Sequence, residues 1–337
     1  NATSGTFTMN GGTIENNAAT ASGGGVYNAA KTNVSGGTIQ NNASRSTGGT
    51  AGGGGIFNYG SSTATITVSG GEITGNQAAS NGGGIGMGTS GTINLTGGKI
   101  HDNTAAGKGG GIYLGAVMNL SGEPVVSRNT VDGQANDVHL GGTATSPKTI
   151  GLTGPFTGSI GVVPAATPTF AKAALIAKPA NSYGITKSDM DHLQDESGMA
   201  DEGYAFQLNG GNIELAYQAQ AEEVPQIAID YLNEQFTGFV QGKRYSIQNS
   251  AMQATHTTAP KPTPIPEAMM GTTVEIVCKG HATPTPPTRD SAPQSLNVPA
   301  RPAAPAVTGQ NESTAGKKDG KLIGVSADME IKRNTAT

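Results

Sequence analysis

Charge, aromatic rings and cysteine are all scarce in this 337-residue chain, and each scarcity argues against a class of function. Charged residues make up 13 % of the sequence. Nine basic and thirteen acidic groups lie within residues 1–216, and eleven of each follow, so the net charge of −4 belongs to the first part. No basic stripe is available to neutralise phosphates, which argues against nucleic acid as a partner. The single cysteine, Cys278, can build neither a disulfide framework nor a zinc site, and its strand-like setting predicts a small buried side chain. Tryptophan is absent and aromatics total 4 %, leaving few platforms for stacking sugars. No apolar run approaches the ~20 residues that span a bilayer, so no membrane insertion is expected.

Glycine is what the chain has in excess. Of 52 glycines, 35 fall in residues 1–142, while 11 of the 18 prolines follow residue 250. The glycines belong to a repeat. Gly11-Gly12-Thr13-Ile14…Asn17 returns at Ile39…Asn42, Ile73…Asn76 and Ile100…Asn103, and in degenerate form at Val126…Asn129. The apolar positions are 25, 34, 27 and 26 residues apart. A second pattern, Gly-Gly-Gly before an aliphatic residue, places Val26, Ile56, Ile85 and Ile112 between them. Repeats of this length mean a solenoid, propeller or array. Ahead of each Gly-Gly, Val34, Val68, Leu95 and Leu120 alternate with Asn33, Thr67, Asn94 and Asn119, the period of two that marks strands. Glycine at this density disfavours helix by roughly 1 kcal/mol per site. Short strands and tight turns in a unit of about 26 residues predict a right-handed parallel β-helix, an all-β solenoid.

In such a stack, equivalent positions sit about 4.8 Å apart. Asn17, Asn42, Asn76, Asn103 and Asn129 are therefore expected to form a structural amide ladder, with Asn also suited to a left-handed corner. This pattern resembles the right-handed parallel β-helix repeats of bacterial surface adhesins, autotransporter passengers and Gram-positive wall proteins. The resemblance covers residues 1–142 and implies an extracellular, cell-surface or cell-wall location. Residues 143–216 are expected to hold closing coils and a short helical insert at 187–196, which completes a β-helix over 1–216. The chain opens at Asn1 inside a repeat, so it is expected to be a piece of a longer protein.

After residue 216 the register changes. Short strand-like runs separated by Pro-rich loops predict a small C-terminal β-sandwich over 217–302. Residues 303–337 look like the start of a truncated further module. These modules resemble the Ig- or fibronectin-like repeats in long surface proteins of gut Firmicutes.

Because parallel β-helices also serve as polysaccharide lyases and glycosidases, the enzyme reading needs its own chemistry. Glycosidic cleavage uses two carboxylates about 5–10 Å apart. The outward columns beside the repeat Ile read Thr13, Thr38, Glu72, Lys99 and Glu15, Gln40, Thr74, His101, with no acidic pair on neighbouring repeats. Lys31, Arg45, Lys99, Lys108 and Arg128 are scattered, which suits no lyase. Asp189, Asp191, Asp195, Glu196, Asp201 and Glu202 lack a Ca²⁺-loop frame and read as a solvated helix face. Gly82–Gly88 brushes a dinucleotide fingerprint without a βαβ unit around it. The five dispersed histidines read as ordinary surface or loop residues. No catalytic residue, metal or cofactor is expected. The expected function is a non-catalytic structural adhesin that binds a host or matrix glycan or protein, with Glu72, Lys99 and His101 as the candidate ligand face. The competing expectation is a carbohydrate-active β-helix whose catalytic coils lie elsewhere in the parent.

Overall fold

The computed structural model describes residues 5–48, 52–59, 62–248, 255–258 (backbone), 262–281, 287–301, 306–310, 313, 317 and 321–324. It is all-β, with parallel strands stacked in a large sheet, and it divides into two compact units. The first comprises Asn1–Gln220 and Thr285–Pro287; the second comprises Ala221–Pro284 and Thr288–Thr337.

The repeat becomes register in the first unit. Strands Thr6–Glu15, Lys31–Gln40, Thr65–Thr74 and Thr92–His101 pair in parallel, so that Ile14, Ile39, Ile73 and Ile100 are direct partners. Val126, Ile160 and Leu193 continue that column. The aliphatic residues after Gly-Gly-Gly form a second parallel stack, Val26, Ile56, Ile85, Ile112, Val138 and Val162. A third runs from Ala18–Ala19 through Ala43–Ser44, Gln77–Ala78 and Thr104–Ala105 to Thr130–Val131. Apart from the first rung, these Ile and Leu side chains are buried in one continuous core. Each contributes about 1.5–3 kcal/mol by leaving water.

Between the first two stacks the chain turns a corner, and there the asparagines lie. Asn17 Nδ2 donates to Asn42 Oδ1 at 2.9 Å, Asn42 to Asn76 at 3.0 Å, Asn76 to Asn103 at 2.9 Å and Asn103 to Asn129 at 2.9 Å. The backbone N–H of each donates to the same oxygen, at 2.9–3.1 Å. From Asn42 onward, Nδ2 also donates 2.9 Å to the carbonyl of the preceding repeat's Ile. Asn42, Asn76, Asn103 and Asn129 are fully buried, so every polar atom of the corner depends on this set. The left-handed residue falls one position before each Asn, at Asn16, Asn41, Gly75, Asp102 and Arg128. The ladder residues themselves are not left-handed, because each must aim its amide along the stack. The third glycine of each run makes room for the ladder: a Cβ on Gly84 would stand 3.1 Å from Asn103 Nδ2 and 2.8 Å from Gly111 O.

Every rung donates toward the next, so the last requires an acceptor with no N–H of its own. Asp137 provides it, with Oδ1 taking Asn129 Nδ2 at 2.7 Å and Asn129 N at 2.9 Å. Asp137 stands where earlier repeats have glycine, immediately before the Val26–Ile112–Val138 column. In the next layer the corner is deleted: Ile160 pairs with Val126 and Val162 with Val138, so Gly161 alone replaces residues 127–137. Glu196, three residues after Leu193 as each Asn is three after its Ile, folds back over Gly161. Its Oε2 accepts the Asp137 N–H at 2.6 Å. Burial pushes the Glu196 carboxyl up to about 8, aided by the Asp137 and Asp195 carboxyls and opposed by that amide hydrogen bond.

Two sequence expectations change here. The helix spans Lys187–Asp191 only, capped by Thr186, because the chain rejoins the stack at Leu193. The acidic run is a solvated face only in part: Asp191, Asp201 and Glu202 are exposed, whereas Asp189 is buried and accepts hydrogen bonds from Phe156 N, Thr186 N, Thr186 Oγ1 and the Tyr183 hydroxyl. Burial alone would raise its carboxyl, but these donors hold it below the ordinary value.

In the second unit a three-stranded antiparallel sheet (Ala228–Asp230, Gln235–Thr237, Thr263–Pro264) and a four-stranded one (Thr255–Thr258, Arg244–Gln248, Thr273–Lys279, Gln294–Asn297) are present. Ile227, Phe236, Tyr245, Ile247, Val274 and Ile276 form one core. Most of 303–337 lies outside the described residues; Thr308–Gln310 pairs there with Lys321–Ile323.

Asn76→Ala removes the acceptor for two buried Asn42 donors and should cost about 2–5 kcal/mol in denaturant unfolding. Asn17→Ala, at the exposed end, should cost under about 1 kcal/mol. Equal losses would show that the ladder carries no special share of stability. A second expectation follows from Glu196. The folded state holds its proton more tightly than the unfolded chain, so stability falls as pH rises from the ordinary carboxyl range through about 8. Melting temperature should therefore drop between about pH 5 and about pH 8, and Glu196→Gln should flatten that drop.

Candidate functional site

The two columns flanking the repeat Ile emerge on the outer face of the longest strands. Register places Thr13, Thr38, Glu72, Lys99 and Val125 in one column and Glu15, Gln40, Thr74, His101 and Ser127 in the other. Lys99 and His101 alternate with the buried Ile100, so both point away from the core. Neighbouring rungs pair sideways. Gln40 Nε2 donates to Glu15 Oε2 at 2.6 Å, and Lys99 Nζ stands 3.9 Å from Glu72 Oε1 with both side chains well exposed. Glu72, Lys99, Glu123 and Val125 border a shallow depression of about 330 Å³ floored by Gly71 and Gly98.

His101 belongs to a separate cluster on the corner side. Its Nδ1 lies 2.6 Å from Asp102 Oδ2 and 3.2 Å from Thr74 Oγ1, and only 18 % of the side chain is exposed. The short contact to a carboxylate fits Nδ1–H donating to Asp102. Arg128 grips Asp102 with two hydrogen bonds, Nε to Oδ1 at 2.9 Å and Nη2 to Oδ2 at 2.7 Å. Those bonds, first from Arg128 and then from His101, hold the Asp102 carboxyl well below the usual range. The structure thus joins Glu72 to Lys99 and places His101 with Asp102, which the sequence reading passed over, and with Arg128, which it counted only among scattered basic residues. Their signal was available: both occupy the left-handed corner column, where a long side chain such as Arg is uncommon.

The arrangement offers hydrogen-bond donors and acceptors on a flat, rigid surface. Among the described residues no group of three or more His, Cys, Asp or Glu could hold a metal ion, and no helix is long and apolar enough to cross a membrane. His139 departs from its expected surface role. It is buried, stacked on Tyr113 at 6.2 Å, and burial, with Lys108 nearby, pushes its imidazole down to about 4.

The second unit holds one buried ionic cluster. Glu222 pairs with Lys243, accepts the Thr288 hydroxyl at 2.6 Å and faces His281 Nε2 at 3.4 Å and Cys278 Sγ at 3.9 Å. Burial would raise the Glu222 carboxyl, yet Lys243 and Thr288 hold it down. The Cys278 thiol is pushed up by burial and by Glu222, the opposite of what a thiolate nucleophile needs.

Comparison with protein-family models, with curated proteins and with solved structures returns no match.

Left-handed Arg128 supplies a stability test. Arg128→Gly relieves about 1 kcal/mol of backbone cost but loses an exposed ion pair and gains unfolded-state entropy, so it should stay within about 1 kcal/mol of the parent. Arg128→Val keeps the strain and loses the pair, and should fall at least about 1 kcal/mol lower than the Gly variant in denaturant unfolding.

Proposed function

We propose that the first unit is a right-handed parallel β-helix, that the second is a small Ig- or fibronectin-like β-sandwich, and that the chain is part of a non-catalytic extracellular adhesin. In this reading the protein sits at a cell surface or in a cell wall of the Gram-positive type. The β-helix presents its outer face to a host or matrix glycan or protein. The observation that carries it is the division of labour along each strand. Inward positions repeat Ile, Val and Leu and the corner repeats Asn, whereas the outward columns change at most rungs while remaining mostly polar and flat. A scaffold alone would be served by any polar residue there. A surface that reads an extended ligand needs varied donors and acceptors in fixed spacing, and the 4.8 Å rungs supply it. Shallow relief fits many weak contacts made in parallel, with affinity gained through many copies on one cell.

The test is a multivalent display of the chain probed on glycan and host-protein arrays. Single substitutions should weaken a hit by under about 1 kcal/mol, and joint replacement of Glu72, Lys99 and His101 by Ser should abolish it. A hit that survives the triple replacement removes this face as the binding site.

A further inference from the structure

A third outward column, nearer the starts of the strands, runs Thr67, Asn94, Asn119, Gly151 and Lys178. Asn119 Nδ2 donates to Asn94 Oδ1 at 2.9 Å, which continues a polar ladder along the surface. At Gly151 the ladder stops for want of a side chain. A Cβ there would stand 3.3 Å from both the Ala180 Cβ and the Met118 carbonyl oxygen and 3.4 Å from Asn119 Oδ1, so a side chain enters only if these neighbours give by a few tenths of an ångström. The backbone itself does not demand glycine, because its φ is not in the left-handed range. The gap opens a cavity of about 290 Å³ lined in part by Val117, Asn119, Thr149, Lys148 and Lys178.

The charges around this gap are one-sided. No carboxylate lines it, although acidic groups outnumber basic ones in residues 1–216. Among the described residues, Lys99, Arg128 and Lys187 each have a carboxylate partner, while Lys148 and Lys178, like Arg45, Lys108 and Lys172, form no ion pair; what sets these two apart is that they border one notch. Two ammonium groups at one notch, without a counter-charge, lower their energy when an anion enters. Asn119 Oδ1 and the Thr149 hydroxyl stand ready for hydroxyl groups, and Val117, 53 % exposed, offers an apolar contact. Anion, hydroxyls and a small apolar face together describe an acidic sugar better than a bare ion.

We propose that the notch over Gly151 binds an anionic saccharide, a sugar bearing a carboxylate or a sulfate, with Lys148 and Lys178 on the anion and Asn119 and Thr149 on neighbouring hydroxyls. This rests on the reading of the β-helix as a glycan-displaying surface and names the class of glycan.

Calorimetric titration of the full chain tests it with four probes: a uronic-acid oligosaccharide, a sulfated oligosaccharide, a neutral oligosaccharide and inorganic sulfate. At low salt at least one acidic oligosaccharide should bind, more tightly than the neutral one, and binding should weaken as salt is added. Joint Lys148→Gln and Lys178→Gln should weaken binding at least about tenfold, with melting temperature unchanged. Gly151→Asn fills the gap without altering charge and should give a similar loss. Equal binding of acidic and neutral sugars overturns the proposal, as does an undiminished double-Gln variant. Binding of sulfate alone, or of no probe, overturns it too. A glycan-array hit that persists in the double-Gln variant sinks the notch but leaves the display reading standing. An array with no glycan or protein hit at all sinks that reading itself.

Discussion

The structure of the first unit depends on one constraint: a buried row of amides must have every hydrogen placed. Asn42, Asn76, Asn103 and Asn129 are removed from water, and an unmet buried donor costs about 1–3 kcal/mol. Each amide meets this by donating once along the stack and once to the carbonyl of the preceding repeat's Ile. The arrangement matches the spacing of the paired strands, and it adds to the demand for glycine at Gly25, Gly55, Gly84 and Gly111, where a Cβ would meet both the next layer's backbone carbonyl and the ladder amide. It also moves the sharp backbone turn onto the residue before the Asn. Corner, glycine column and layer spacing are therefore mutually consistent: the spacing that pairs the strands is the one at which the amides meet.

The direction of the network explains how it ends. A row in which each member donates forward cannot finish on another amide, whose own hydrogens would then lack acceptors. Asp137 finishes it because a carboxylate accepts without donating. The glycine register that elsewhere leaves room for an incoming Asn is here given to the Asp side chain itself. That exchange is possible only because the following layer has lost its corner and has no Asn to insert. Glu196, arriving one layer later in the ladder's register, then covers the Asp137 amide at the cost of placing two carboxyl groups side by side. Burial at the end of the ladder, with the neighbouring Asp137 and Asp195 carboxyls adding to it, is what raises the Glu196 carboxyl.

Which of these features the sequence discloses follows from whether they recur. The Ile column, the Gly-Gly-Gly column and the Asn spacing recur four or five times, and each recurrence constrains the register again. The acid pair occurs once. Asp137 and Glu196 are 59 residues apart, and nothing local in either segment announces the other. Their meeting depends on the missing corner at Gly161, visible only once Ile160 and Val162 are assigned to two columns at the same time. Asp189 misleads for a related reason. Its neighbours Asp191 and Asp195 suggest a solvated run, but helix capping by Thr186 and donation from Phe156 of a different strand draw it inside. His139 likewise looks like an isolated surface residue until Tyr113, its strand partner, covers it.

The same contrast bears on where binding can reside. Wherever a side chain points inward or into the corner, the ladder and core leave almost no choice of residue. Outward positions are released from that demand, and the strand register hands each of them a fixed place beside its neighbours. Glu72 with Lys99, and His101 with Asp102 and Arg128, use this freedom to satisfy one another across rungs. Lys148 and Lys178 do not, and they flank the gap left by the missing side chain of Gly151. Groups already paired across rungs must give up partners to hold a ligand, whereas unpaired groups beside an open gap need only shed water. On that ground the paired columns suit weak, distributed contact, and the Gly151 notch is the place where the same surface can hold a discrete charged group.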